Sequence, residues 1–474
     1  MFKTLKNAWK LPDIRNKLLF TLLIIVLYRL GTSIPVPYVS PDTLKNAYDV
    51  FGQSALQYLN ILSGNALGKA TLLALGVSPY ITASIVMQLL TIAIPPLERL
   101  SKDGENGKKK ITAITRMVTV GLALVESIGY AFLIESRGWL TFSAAETSTG
   151  VTVFRYAVIV ACYCAGAALV MWLAEKINDH GIGNGISMIL FANIVAGAPS
   201  IIQAIWQTAT ADQWIENVAG NWAIRISLAV FVVLMFVAMF VLIVWMSDAE
   251  RRIPIQYAKR VVGRKMYGGQ NTNLPLKVNM SGVMPIIFAN SIVAIPSTIQ
   301  QLFARSETGF FAKLIGGNWG FIDSLSKTHP NLATFVQSLL RFDQMGWIYV
   351  LIFLALLIAF AYFYVAISFN PVEVANNIKN NGGAIPGIRS GRPTIEFIKK
   401  ILNRITLVGA LLVAVIAVFP MMLNIIITYF GGNSAIMQLA FSGSSMMIVV
   451  GVALETIREL EAQMSLRNYK GFLD

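Results

Sequence analysis

The chain has 474 residues, 55% of them hydrophobic and only 13% charged, with a mean hydropathy of +0.63. A soluble domain carries about 25% charged residues, so a water-soluble fold is excluded and lipid must be the solvent for the excess apolar surface. With His180 and His329 the only histidines, and Cys162 and Cys164 two apart in an apolar run where a helix turns them to different faces, the residues argue against zinc or histidine chemistry and against a disulfide.

A membrane-crossing helix needs roughly 20 mostly apolar residues. Ten stretches qualify: 18–34, 72–95, 117–134, 154–173, 186–206, 223–247, 280–303, 347–369, 404–424 and 434–454. The first follows Lys3, Lys6, Lys10, Arg15 and Lys17, as a signal peptide would. Pro35 and Pro37 stand where small cleavage-site residues belong, and nine further stretches follow, so it reads as a start-transfer anchor.

Alternate connections then set the orientation. Segments 1–17, 96–116, 174–185, 248–279, 370–404 and 455–474 hold 28 Lys and Arg against 14 Asp and Glu, which is the whole net charge of +14. The remaining residues hold 10 of each. Positive charge gathers on the cytoplasmic side of membrane proteins, so both termini are expected there. The longest external segment, 304–346, is mixed in charge and reads as a surface elaboration. One membrane domain is expected, with an N-terminal half over 1–206 and a C-terminal half over 207–474. Five is odd, so the second half starts on the opposite side from the first. An inverted repeat is thereby permitted, although no internal sequence similarity is visible.

Several segments carry more than hydropathy. In 51–67, Ala55, Leu56, Leu59 and Leu62 recur at helical spacing before Gly64 breaks the pattern. Such a short apolar helix beside a full span either lines a cavity or lies on the outer surface. Residues 64–70 superficially suggest a phosphate loop, but three residues rather than four separate Gly64 and Gly68, and Ala70 replaces the magnesium-binding hydroxyl. Gly181, Gly183 and Gly185 follow a membrane helix rather than a strand, which argues against a dinucleotide. Spans 72–95 and 280–303 are rich in Ser, Thr, Asn and Gln, among them Thr82, Gln88, Asn290 and Ser291. These side chains either glue helices together or mark a seam that opens. Arg29, Glu126, Arg155 and Arg225 are the ionisable groups within spans, and Glu126 is the one candidate for an ion-coupling carboxylate.

Two basic loops stand out on the cytoplasmic side. In 248–279, Arg251, Arg252, Lys259, Arg260, Arg264 and Lys265 alternate around Ile253, Ile255 and Tyr257, a hairpin pattern. In 386–394 a Pro/Gly-rich turn presents Arg389 and Arg392. Topogenic charge explains the basicity but not the length and order of these loops; docking of a large anionic partner explains both.

The motifs Gly76-Val77-Ser78-Pro79-Tyr80-Ile81-Thr82-Ala83-Ser84-Ile85, His180-Gly181-Ile182-Gly183-Asn184-Gly185-Ile186-Ser187, Arg251-Arg252-Ile253-Pro254, Asn279-Met280-Ser281-Gly282-Val283-Met284-Pro285 and Pro386-Gly387-Ile388-Arg389 together resemble the SecY family of protein-conducting channels, in its bacterial form, over nearly the whole chain. The resemblance implies an all-α fold of ten transmembrane helices in two inverted five-helix halves around a central hourglass pore. Its waist would be a ring of Ile81, Ile85, Leu190, Ile287 and Ile448; the family usually has isoleucine where Leu190 stands, which leaves that register open by one residue. Segment 51–67, with Leu56, Leu59 and Leu62, would be the plug, and Thr82, Gln88, Asn290 and Ser291 would line the lateral gate. The implied function is passage of unfolded secretory polypeptides and sideways release of membrane segments into lipid, with no cofactor and no catalysis. The implied partners are the small subunits SecE and SecG, the SecA motor, the ribosome with its RNA and proteins, signal sequences, and membrane lipid. Arg251, Arg252, Lys259, Arg260 and Arg389 would dock the motor or the ribosome in the inner membrane of the bacterial cell. Residues alone leave two other readings, an inverted-repeat secondary transporter that would depend on Glu126, and a membrane scaffold without transport.

Overall fold

A computed structural model describes residues 2–40, 60, 63–136, 138–141, 149–199, 222–257, 260–262, 265–267, 271–303, 347–429 and 442–470. Its helices begin with α1 (Phe2–Lys10), α2 (Pro12–Gly31), α3 (Ser78–Ala93), α4 (Pro95–Lys102), α5 (Gly104–Ser136), α6 (Thr149–His180), α7 (Gly185–Ala196) and α8 (Trp222–Asp248). Strands β1 (Glu250–Tyr257), β2 (Arg260–Val262), β3 (Lys265–Tyr267) and β4 (Asn271–Lys277) follow. Then come α9 (Met284–Phe303), α10 (Trp347–Ser368), α11 (Pro371–Asn380), β5 (Gly383–Ala384), α12 (Arg392–Tyr429) and α13 (Ser442–Lys470).

A helix stands at each of the ten apolar stretches. Among the described residues, four are each long and apolar enough to cross a membrane: Gly104–Glu135, Gly150–His180, Trp347–Asn380 and Arg392–Met422. A fifth is added if α3 and α4, bent by 101° to each other, are taken as one span. That bend lies at Ile94, whose extended φ of −110° and ψ of 111° follow from the proline after it, which disfavours the helical region for the preceding residue.

Helix ends depart from the apolar stretches for local reasons. The second stretch reads as helical from residue 72, yet α3 begins only at Ser78. Gly64, Asn65, Ala70 and Gly76 all have positive φ, at 67°, 66°, 45° and 55°, so the chain turns there instead. α5, α12 and α13 run well beyond their apolar stretches because Lys, Glu, Arg and Gln, which favour helix, continue past the lipid boundary.

One large apolar cluster takes residues from α2, α3, α6, α7, α8, α9, α10, α12 and α13. A second lies between α5 and α6. On α8, Phe231, Leu234, Val241 and Trp245 face outward, as lipid-facing side chains must when the solvent is hydrocarbon. Helices α2, α3, α5, α6 and α7 pack among themselves, and α8, α9, α10, α12 and α13 do likewise. The two sets meet where α9 packs on α3 and α5, and where α13 packs on α7.

Candidate functional site

Ile81 and Ile85 on α3, Leu190 on α7, Ile287 on α9 and Ile448 on α13 all belong to the large apolar cluster, and none is more than 6% exposed. Four helices therefore contribute these five side chains, all hydrocarbon, to one buried cluster. Beside it lies a cavity of about 770 Å³ with a mixed polar and apolar lining. On three helices the cavity lining stands three residues from the layer: Ser187 before Leu190, Met284 before Ile287, and Gly451 after Ile448. Three residues rise about 4.5 Å along a helix, so on these three helices the cavity wall lies within one turn of Leu190, Ile287 and Ile448. On α3 the lining stripe Tyr80, Ser84 and Gln88 runs alongside Ile81 and Ile85.

Charged groups also contribute to the wall of that cavity: Lys277, Glu455, Arg458 and Glu459. Burial holds the Lys277 ammonium below its usual pKa, with the Arg458 charge adding to the effect. None of these four was singled out in the sequence, because Glu455 and its neighbours fall past the end of the apolar stretch. The cue available there was helix-forming composition continuing without a break.

The turn at 181–184 positions Leu190. Asn184 caps α7 by accepting hydrogen bonds from the N–H groups of Ile186 at 3.1 Å and Ser187 at 3.5 Å. The Gly185 N–H donates to Asn178 Oδ1 at 2.7 Å. A Cβ on Gly185 would fall 1.9 Å from the Ala174 carbonyl oxygen, so only glycine lets α7 leave so close beside α6. The Gly-rich motif is thus a packing device, and no strand precedes it.

Leu56, Leu59 and Leu62 lie outside the described residues. The end of that segment is described, and it is tied down. Asn60 accepts from the Gly68 N–H through Oδ1 at 2.8 Å and from the Asn65 N–H through its carbonyl at 2.8 Å. The Ser63 hydroxyl donates to the Asn60 carbonyl at 2.9 Å and accepts from the Leu67 N–H at 3.1 Å. The Tyr130 hydroxyl donates to the Leu67 carbonyl. The backbone N–H groups of Asn65, Leu67, Gly68 and Ala70 are therefore spent on the protein itself rather than held open for a phosphate. Arg29 extends its guanidinium to the carbonyls of Gly64 at 3.4 Å and Ala192 at 3.3 Å, which places this intramembrane cation on backbone oxygens.

The polar residues of α3 and α9 lie on neighbouring helices. Thr82 donates to the Ser78 carbonyl at 3.1 Å and Ser291 to the Ile287 carbonyl at 2.8 Å, each within its own helix. Gln88 lines the cavity. Asn290 is buried, and its Nδ2 has no partner. Among the described residues, Thr82 and Ser291 spend their hydroxyls within their own helices rather than between α3 and α9.

The two basic loops, separate in sequence, form one platform. β1 pairs antiparallel with β4, from Glu250 opposite Lys277 to Gln256 opposite Asn271. β5 joins the other edge of β1, with Gln256 opposite Ala384 and Tyr257 opposite Gly383. Ile253, Ile255, Leu276, Ala375, Ile378, Ile385 and Ile398 fill a shared core beneath. Arg251 and Arg252 are exposed on β1, and Arg252 pairs with Glu250 at 2.6 Å. Arg260 begins β2, opposite Tyr267; its side chain and all of Lys259 lie outside the described residues. Arg389 is exposed in a turn between Gly387 (φ 80°) and Gly391 (φ 106°), and its carbonyl accepts from the Thr394 hydroxyl at 2.9 Å. A left-handed residue on each side of Arg389 is what turns it outward.

The SecY family model matches residues 71–457. The chain belongs to the SecY family. Protein translocase subunit SecY of Streptomyces coelicolor is 43% identical to it over 480 residues, covering 100% of both chains. Two solved structures share the fold. One is a SecY whose plug domain is described as stabilising the closed state of the translocation channel and maintaining a membrane seal (TM-score 0.53, 17% identity, 95% of this chain and 92% of that one). The other is Sec61 in the canine ribosome-channel complex from the endoplasmic reticulum (TM-score 0.53, 16% identity, 95% and 92%). SecY proteins are channel subunits, not enzymes, and this membership sets aside the transporter and scaffold readings.

Proposed function

We propose that this chain forms the conducting pore of a protein translocase in the bacterial inner membrane, passing unfolded secretory polypeptides and releasing apolar segments sideways into lipid. The observation that supports the proposal is the buried apolar set Ile81, Ile85, Leu190, Ile287 and Ile448, drawn from four helices beside a cavity of about 770 Å³ with a mixed polar and apolar lining. Such a constriction resists wetting and so blocks ions, while its methyl groups give a moving chain no partner to stick to. Sequence-tolerant transport needs that indifference.

On this reading residues 1–206 and 207–474 are the two halves, supported by the two sets of helices that pack among themselves. The α3–α9 seam is the lateral gate, with Thr82, Gln88, Asn290 and Ser291 along it. Thr82 and Ser291, bonded within their own helices, add no cross-link to that seam. The plug carries Leu56, Leu59 and Leu62, and the Asn60–Gly68 network anchors its end. Both termini and the β-sheet platform face the cytoplasm, where Arg251, Arg252, Lys259, Arg260 and Arg389 meet SecA or ribosomal RNA and protein. SecE and SecG complete the complex. The likeness to a ribosome-bound Sec61 supports the ribosomal partner.

Vesicles containing this chain with its small subunits, given motor and ATP, should protect a signal-bearing precursor from added protease. Protection no greater than in vesicles lacking the chain would overturn the proposal.

A further inference from the structure

The last helix does not stop where its apolar stretch ends, and its extension touches elements from both sets of helices. On one side Arg458 donates through Nη2 to the Ser247 carbonyl and to Asp248 Oδ1, both at 2.8 Å, at the end of α8. On the other side, one residue along, Glu459 Oε2 accepts from the Gly183 N–H at 2.9 Å, in the turn that launches α7. Lys17 at the start of α2 donates to Gln463 Oε1 at 3.3 Å. Leu460, next to these polar ties, is buried with Ala8, Ile14 and Ile182 in a small apolar cluster of its own. Gly183, at φ +84°, has room for no Cβ without pressing on Met188 and Thr456, so the turn is shaped around the last helix.

We propose that residues 455–464 are a strap that clamps the two halves together at their cytoplasmic ends, fixed to the second half by Arg458 and to the first by Glu459, Leu460 and Gln463. The inference rests on the two-half channel reading above. Arg458 holds α8 through two bonds of 2.8 Å, whereas the ties to the first half are single bonds of 2.9 and 3.3 Å made to two different elements. Bonds to charged groups are stronger when short, and the first-half ties are the fewer and longer on each element. The first-half side is therefore the joint that yields when the halves part, and Glu459 is its positioning residue. Through it, anything that moves the strap from the cytoplasm shifts the open–closed balance at Ile448, eleven residues along the same helix.

The test uses the reconstituted complex with Cys162 and Cys164 replaced by Ala. Lys17→Cys and Gln463→Cys are joined by a reducible bis-maleimide, and protection of a precursor is followed before and after thiol is added. Transport should fall by roughly tenfold on cross-linking and return on reduction, since the halves cannot part across a closed strap. Full transport by the cross-linked complex would overturn the strap while leaving the channel reading intact. No transport by the unmodified chain would instead remove the channel reading, and the strap with it. A second pair of variants needs no cross-linker. Glu459→Ala should raise resting ion conductance by roughly tenfold, the scale of one lost charge-assisted hydrogen bond, whereas Glu459→Gln keeps an acceptor and should stay near the parent value. Equal conductance in Glu459→Ala and the parent would also overturn the strap.

Discussion

Ile81, Ile85, Leu190, Ile287 and Ile448 come from four helices and offer only methyl and methylene groups to whatever lies between them. The platform of β1, β4 and β5 also rests on isoleucines, but it uses them as a base that holds Arg251, Arg252 and Arg389 in water. Both regions spend the same residue type on opposite ends. On the proposed reading, the isoleucines of the first are the working surface, and the absence of hydrogen-bonding atoms is what would let a polypeptide slide. In the second they are ballast, and the work is done by charges whose positions a folded sheet fixes. A channel that recognises nothing must be joined to a surface that recognises something, and this chain keeps the two on separate elements.

Substitutions can break that division, beginning with the layer. Replacing Ile81, Ile85 and Ile287 together by Gly should open the constriction to water, raising resting ion conductance by roughly tenfold or more in planar bilayers. Conductance equal to that of the parent would remove these residues from the waist. Next in size, Arg389→Glu should lower precursor export by roughly tenfold through loss of charge complementarity, with membrane insertion and abundance unchanged. Export at the parent rate would show that the turn at Gly387–Gly391 is not a docking point.

The platform's base gives a smaller effect on export but a larger one on local order. Ile253→Asp puts an unpaired carboxylate into the core shared by β1 and α11, at a local cost of about 3 kcal/mol. Limited proteolysis should then cut within 248–279, and resting conductance should not change, because the layer is untouched. Arg252→Ala should do least to stability. Its ion pair with Glu250 is solvent-exposed at 68% on the arginine side, so no more than about 0.5 kcal/mol is at stake. Proteolysis like that of Ile253→Asp would mean the pair holds the hairpin, contrary to this account.

How much of this was legible in the sequence differs by region. Hydropathy located a helix at all ten stretches, and the alternation of basic residues around Ile253, Ile255 and Tyr257 located the hairpin, because periodicity reports directly on which face is buried. The layer was placed through family motifs; composition says only that Ile81 and Ile85 share a face. What stayed hidden was long-range pairing. Nothing near Gly383 announces that β5 will complete a sheet begun at Glu250, since two residues carry no period. The polar ends of the long helices were likewise invisible to a reading tuned to apolar runs, which is why Arg458 and Glu459 went unnoticed. Thr82 and Ser291 show a further limit: residue type revealed polarity between helices, but only coordinates reveal that each hydroxyl turns back to its own backbone.

The central claim is that a polypeptide passes through the apolar layer. A photoreactive residue at position 287, in a complex holding a secretory precursor jammed halfway, tests it directly. The account predicts a strong adduct between this chain and the precursor that disappears when the jam is released. Absence of the adduct, with the jammed precursor still bound and the chain inserted normally, would contradict it.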